Sequence, residues 1–186
     1  IAMCSMALVL FVIMAGINTA NYTNVCRNAD MRIHVIAEND GKFPENPADD
    51  NPQDDNQTPP EPKKEKELAR RDISPESAFD TRFFTVTLTD KGTVDQVDTG
   101  KIAAVSTKEA KKYAASLYKK QHTLGFISCY RYQLVTTGDN TRMYIFVNCE
   151  RELNTFHTFL LASIGISLAG LLLVFLLVVL FSGMLV

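Results

Sequence analysis

Both ends of this chain are apolar runs without a charged residue, and they constrain its fold more than any other feature. Residues 1–17 and 158–186 contain no Asp, Glu, Lys or Arg, and every charged residue falls within 27–152. A helix needs about 20 apolar residues to cross a hydrocarbon core of about 30 Å. The C-terminal run exceeds that length, and a backbone in hydrocarbon must satisfy its own hydrogen bonds, so this run predicts a membrane-spanning helix.

The N-terminal run is shorter and leaves two interpretations open. As a helix with a rise of about 1.5 Å per residue, residues 1–17 cover about 26 Å, slightly less than the hydrocarbon core. The run is therefore either a membrane-spanning helix or a signal peptide, whose apolar region is similar. Because the sequence begins at Ile1 and stops inside an apolar run, we expect it to be a piece of a longer protein.

The chain changes character twice after the first run. Apolar residues recur at spacings of three and four over 18–38, which predicts a juxtamembrane helix. Segment 39–75 contains all seven prolines, many acidic residues and few apolar ones. Such a composition buries too little surface to offset the entropy of ordering, so we predict a disordered linker there. The acidic positions in 49–55 lack the spacing of a calcium-binding loop, which favours a solvated tract.

Residues 76–150 predict a small α+β domain that begins with a hairpin and a helix. Phe84, Val86 and Leu88 alternate with threonines, which is typical of a half-buried strand. The turn signal Asp-Lys-Gly follows, and the chain can return as a second strand. Ser106 and Glu109 have the spacing of a capping box, which predicts the start of an amphipathic helix.

A second hairpin completes the predicted domain. Strands over 126–135 and 142–149 are separated by a Gly-Asp-Asn turn signal, and centring the hairpin on that turn places Tyr132 opposite Phe146. The predicted order is strand-strand-helix-strand-strand, an antiparallel sheet between two membrane-spanning helices. Only residues 150–157 separate the last strand from the second apolar run. Because this connection is short, a displacement of the sheet would be transmitted to that run with little loss.

Four residues of this second hairpin are candidate site residues. In the register above, Cys129 lies opposite Cys149, and a disulfide between them is possible. Two buried free thiols are the alternative, since a slip of one residue would place the side chains on opposite faces. Arg131 lies beside the aromatic Tyr130 and is a candidate for binding an anionic ligand. A pairing of Arg131 with a carboxylate is the alternative.

The sequence predicts no catalytic residue, no metal ligand set and no nucleic-acid contact. His34, His122 and His157 lack a metal-binding partner at helical or strand spacing. The net charge of −2 and the absence of a basic cluster do not indicate nucleic-acid binding. An enzyme with its active site in residues 76–150 is disfavoured, because no acid–base or nucleophile constellation is present.

Small residues mark the second apolar run. Ser163, Ser167 and Gly170 lie at spacings of four and three, with Gly165 and Ala169 beside them. Small residues at such spacings let helices approach closely. Packing against the first run and self-association both remain open.

Several segments together resemble the N-terminal sensory region of membrane-bound sensor histidine kinases from Clostridia-type bacteria. The resemblance extends over nearly the whole chain apart from the acidic linker, and the segments that carry it lie within 27–44, 79–135 and 146–180. They read RNADMRIHVIAENDGKFP, FDTRFFTVTLTDKGTVDQVDTGKIAAV, EAKKYAASLY, GFISCYRYQLV and FVNCERELNTFHTFLLASIGISLAGLLLVFLLVVL.

The resemblance implies a receptor region of a two-component system. Two uncleaved spans would bracket a PAS-like extracytoplasmic domain, so that the chain is a multi-pass protein of the bacterial cell membrane with residues 18–157 outside. A homodimer, an unidentified extracellular stimulus and a cognate response regulator are the implied partners. A phosphoacceptor-histidine domain and an ATP-binding domain would follow Val186, with ATP and magnesium as cofactors of that part only. A membrane-tethered binding or structural module without kinase activity is the alternative.

Overall fold

A five-stranded antiparallel sheet lies between two long apolar helices in the order of the chain, which confirms the α+β class. The structure, a computed structural model, describes residues 2–43, 77–89, 91–136 and 141–184. The elements are α1 (Ala2–Glu38), α2 (Ser77–Asp80), β1 (Phe83–Leu88), β2 (Val94–Asp98), α3 (Thr107–Lys119), β3 (Leu124–Ile127), β4 (Tyr130–Thr136), β5 (Arg142–Asn148) and α4 (Glu150–Met184).

The chain divides into two compact units. The helical unit contains α4 and the part of α1 up to Cys26, and the sheet unit comprises residues 27–149. Ser5–Glu38 and Glu150–Phe181 are long and apolar enough to cross a membrane, and their most apolar windows are not buried within the protein. That exposure distinguishes them from the core helices of soluble proteins, whose apolar surface is covered.

The sheet has the strand order β2-β1-β5-β4-β3, one strand more than predicted. The predicted strand over 126–135 is wrong as a single strand, because the chain reverses at Ser128 and Cys129 and pairs β3 with β4. Ser128 adopts a φ of 54°, a left-handed conformation that a non-glycine residue rarely takes. The helix α3 connects β2 at one edge of the sheet to β3 at the other.

The register of the second hairpin is confirmed. Tyr132 lies opposite Phe146 and Leu134 lies opposite Tyr144. The turn that sets this register, residues 137–140, lies outside the described residues, as does the predicted linker from residue 44 onward.

The capping box of α3 is also confirmed. The Glu109 backbone N–H donates to the Ser106 Oγ at 3.3 Å, and the Ser106 N–H donates to the Glu109 carboxylate at 3.0 Å. The two hydrogen bonds that Ser106 donates to the Glu109 carboxylate, from its N–H and from its hydroxyl at 2.7 Å, lower the pKa of Glu109, since they favour the charged form. Ala110, Ala114 and Leu117 then bury one side of α3.

The aromatic core lies between α3 and one face of the sheet, which we call the α3 face. It is built mainly on the residues of the three middle strands that point to this side. Phe84 and Phe146 stack with their ring centroids 4.4 Å apart, at an interplanar angle of 7°. The buried members of this core on the three strands are Phe84, Val86, Leu88, Tyr130, Tyr132, Tyr144 and Phe146.

The opposite face of the sheet, which we call the α1 face, is also covered. It carries the alternate residues of the same strands, including Phe83, Thr85, Arg131, Ile145 and Val147. The end of α1 and the turn after it pack here, and the buried residues that they contribute include Ala29, Ile33, Ile36 and Phe43. The prediction that β1 is half-buried is therefore wrong, because Thr85 is only 5% exposed.

The connection from the sheet to α4 is shorter than predicted. β5 ends at Asn148 and α4 begins at Glu150, so a single residue, Cys149, joins them. Residues 150–157, which the sequence left as a join, are the first turns of the helix. On the other side, α1 continues without a break to Glu38, and its last residues belong to the sheet unit.

Candidate functional site

Arg131 forms a bidentate ion pair with Asp30 across the α1 face. Its Nε donates to Oδ1 of Asp30 at 2.8 Å and its Nη2 donates to Oδ2 at 3.0 Å. The guanidinium also lies over the Phe126 ring, 5.0 Å from the centroid. Two parallel hydrogen bonds fix the orientation of both side chains as well as their distance. The pair therefore ties the last part of α1 to β4.

The two candidate ligand residues do not form one site. Tyr130 points to the α3 face, where it is 6% exposed and its ring meets Phe84 at 5.3 Å and Tyr113 at 6.1 Å. Arg131, the next residue, points to the α1 face and holds Asp30. An anionic ligand at Arg131 would have to displace that carboxylate. The geometry favours the carboxylate pairing that the sequence left open as the alternative.

Cys129 and Cys149 face each other across the hairpin formed by β4 and β5, as predicted. The Cys149 N–H donates to the Cys129 carbonyl oxygen at 2.9 Å. No disulfide joins the two side chains in the structure, where Cys149 is buried and Cys129 is half-buried against the aromatic core. The possible disulfide is thus not formed here, and the pairing stays a prediction about the oxidised protein.

Two buried tyrosines at the centre of the α3 face are structural rather than acid–base groups. Burial raises the pKa of both Tyr132 and Tyr144, since desolvation penalises the phenolate. The Tyr144 hydroxyl donates to the His122 carbonyl oxygen at 2.7 Å. Both phenols therefore stay protonated near neutral pH, and Tyr144 fixes the chain between α3 and β3.

Asn18 makes a polar contact between the two helices of the helical unit. Asn18 is 9% exposed, and its amide nitrogen donates to the Met14 carbonyl at 2.8 Å and to the Ser163 Oγ at 3.4 Å. One turn further along α1, the Tyr22 and Phe156 rings lie 5.7 Å apart. Ser163, one of the small residues of the second run, thus packs against the first run. This is one of the two arrangements that the sequence allowed.

The histidines do not assemble a site. His34 pairs with Glu38 at 3.4 Å, one helical turn away, and the His157 ring contacts the neighbouring Phe156 ring. In the part of the chain that the structure describes, no group of three His, Cys, Asp or Glu side chains is placed to hold a metal ion.

No protein family, curated protein or solved structure matches this chain. The most informative features of the chain are the Asp30–Arg131 pair, which joins the last part of α1 to β4 within the sheet unit, and Cys149, which joins β5 to α4.

Sequence reasoning missed Asp30 and Asn18. Asp30 lies on α1 between the apolar positions Ala29 and Ile33, and a carboxylate bordering an apolar helix face is a common partner for an arginine. Asn18 is a polar residue directly after the apolar run 1–17, where an amide usually needs a partner. Both positions could therefore have been recognised in the sequence as residues that need a partner. The sequence does not identify Arg131 and Ser163 as those partners.

We expect the Asp30–Arg131 pair to stabilise the sheet unit by about 1 kcal/mol in coupling energy. Asp30 retains 37% of its side-chain exposure, so solvent screening keeps the value near that of other partly exposed pairs. The coupling is measured by a double-mutant cycle with Asp30→Ala and Arg131→Ala, using amide hydrogen exchange of the full chain in nanodiscs. Arg131→Lys is the matched control, since it keeps the charge and loses the bidentate geometry. A coupling energy of zero within error would contradict the link.

Proposed function

We propose that this chain is the extracytoplasmic sensing and transmembrane signalling region of a bacterial sensor histidine kinase, with residues 18–157 outside the membrane. The one-residue connection between β5 and α4 carries this proposal. β5 is the central strand of the sheet, and it leads directly into a helix that is long and apolar enough to cross a membrane. No flexible segment lies between the strand and the helix that could absorb a displacement of the strand.

The coarse architecture supports the proposal further. A PAS-like domain is the fold that the resemblance implies, and an antiparallel sheet with a helical connection is compatible with it. α1 is one continuous helix whose last residues pack on the sheet. The last residues of α1 belong to the sheet unit and α4 begins one residue after its central strand, a connectivity that suits a receptor that passes a conformational change to a membrane.

The proposed mechanism is a shift between two arrangements of the sheet unit. A stimulus favours the arrangement that it binds more tightly, and it shifts the equilibrium only by that difference in affinity. The Cys149 connection passes the change to α4, and in a homodimer the change alters how the kinase parts meet.

The test joins this chain in frame to the cytoplasmic part of a characterised bacterial sensor kinase. Four Gly-Ser residues inserted between Cys149 and Glu150 should change autophosphorylation in membranes by at least about fivefold, a typical lower value for coupling between sites. Deletion of residues 79–149 should have a comparable effect. The matched control inserts the same four residues between Asn51 and Pro52, where we expect no change.

Two outcomes would contradict the proposal. Equal autophosphorylation of all these proteins would favour the membrane-tethered module without signalling. Protection of residues 79–149 from protease added to intact spheroplasts would place the sheet unit on the wrong side of the membrane.

A further inference from the structure

A cavity opens on the sheet unit where α1 ends, and none of the residues discussed above as a site contributes to it. Its volume is about 650 Å³, within the range of about 300–1,000 Å³ typical of small-molecule sites. One wall is the end of α1 and the following turn, and the other is the end of β2 with the loop after it. The residues that line it are Glu38, Asn39, Asp40, Gly41, Lys42, Phe43, Phe83, Asp98, Gly100 and Lys101.

The cavity combines a buried apolar part with a charged rim. Phe43 and Phe83 are 6% and 5% exposed, and they supply aromatic surface. The cavity rim carries both negative and positive charges. The three carboxylates belong to Glu38, Asp40 and Asp98, and the two ammonium groups belong to Lys42 and Lys101. A ligand that carries both an ammonium and a carboxylate group matches such a rim.

Three of the rim charges have no partner among the described residues. Glu38 pairs with His34, and the Asp98 carboxylate accepts the Gly100 N–H at 2.8 Å. Within residues 2–43, 77–89, 91–136 and 141–184, by contrast, no ion pair or hydrogen bond engages the side chains of Asp40, Lys42 or Lys101. The carboxylates are also not grouped to hold a metal ion in these ranges. The rim is therefore suited to charged organic groups.

The cavity also borders the start of β1, which extends beyond the end of its neighbour β2. The Asn148 N–H donates to the Arg82 carbonyl and the Thr89 N–H donates to the Thr93 carbonyl, so even-numbered residues of this segment bond toward β5 and odd-numbered ones toward β2. β2 ends at Asp98, opposite Thr85. The backbone N–H and C=O of Phe83 therefore point past the end of β2, toward the cavity.

An extended peptide can pair with the part of β1 that extends beyond β2. Strand addition satisfies exposed backbone donors and acceptors of an edge through main-chain hydrogen bonds. Gly100 lines the same cavity, and it carries no side chain that would keep a second backbone away.

We propose that this cavity binds a short peptide with free termini, which pairs its backbone with Phe83 and places its ammonium and carboxylate groups on the rim charges. A tripeptide is about 10 Å long when extended, a size suited to this volume. The proposal supplies a ligand class for the sensing function proposed above and rests on it for its biological use, although binding itself needs no kinase.

The test titrates tri-alanine into the full chain in nanodiscs by isothermal calorimetry. We expect binding, and we expect the Lys42→Ala/Lys101→Ala variant to weaken it at least about tenfold, since hydrogen bonds to charged groups contribute more than neutral ones. The matched control is Lys111→Ala/Lys112→Ala, which removes the same charge from the exposed side of α3. Its affinity should equal that of the unsubstituted chain.

A second measurement tests the backbone pairing. Tri-alanine should slow hydrogen exchange at the Phe83 amide. Acetylated tri-alanine amide lacks both terminal charges, so it should neither bind nor slow this exchange. Absence of binding, equal affinity of the two double variants, or binding without protection at Phe83 would each overturn the proposal. If binding is present but a chimeric kinase ignores the peptide, the sensing function fails and the binding site stands.

Discussion

Replacing Phe146 with alanine is expected to lower the free energy of unfolding of the sheet unit by about 3–5 kcal/mol, the usual loss for a fully buried phenylalanine. Phe146 is inaccessible to solvent and stacks on Phe84. Its ring also lies 6.1 Å from Tyr132 and 5.9 Å from Tyr144, so truncation removes contacts on several sides. Native-state hydrogen exchange of β5 amides in the full chain measures the loss.

The matched control for this prediction is Phe79→Ala. Phe79 is 80% exposed, so the same change of side chain should alter the stability by less than about 0.5 kcal/mol. A loss below about 1 kcal/mol for Phe146→Ala would show that the aromatic core does not hold the sheet unit together, because truncating a core phenylalanine to alanine costs about 3–5 kcal/mol.

Replacing Gly92 with alanine is expected to destabilise the sheet unit by about 2–4 kcal/mol, from backbone strain and overpacking together. Gly92 has a φ of +76°, and a Cβ added there would overlap the Tyr118 ring. The ring is itself held by the Arg142 guanidinium, 5.7 Å from its centroid. The turn therefore has no room to absorb a methyl group, and hydrogen exchange at β1 and β2 amides should report the loss.

Two variants separate the strain from the overlap. Gly92→Ala in a Tyr118→Ala background should cost only the strain, about 1–2 kcal/mol. Gly100→Ala, where an added Cβ meets only a carboxylate oxygen of Asp98 at 3.2 Å, should change stability by less than about 1 kcal/mol. Equal losses in the presence and absence of the Tyr118 ring would contradict the packing of this turn against α3.

The features that the sequence predicted correctly depend on local signals. The capping box of α3 needs only a serine and a glutamate three residues apart. The pairing of Tyr132 with Phe146 follows from the alternation of side chains on two strands that share a turn. In both cases the interacting residues are close in sequence, so the local pattern contains the information.

The features that it missed depend on contacts between distant segments or on unusual backbone conformations. The turn that separates β3 from β4 is formed by Ser128 and Cys129, and a single serine is a weak turn signal compared with the Asn-Gly and Asp-Gly pairs that mark two-residue hairpins. Asp30 and Arg131 lie 101 residues apart. Helical periodicity shows that residues near Asp30 have an apolar face, but it does not show that this face covers the sheet. For the same reason Thr85 was expected to be exposed.

The place at which the chain enters and leaves the sheet unit has a mechanical consequence. The entering segment covers the α1 face, and the leaving segment is the middle strand, β5, which is buried along most of its length. Neither end of the sheet unit can detach without opening the core. A pulling force on the two ends therefore acts on the α1 face and on the central strand at the same time. The exposed margins, β2 and β3, carry none of that load and are free to open locally. The domain should consequently resist pulling as one body and then yield abruptly.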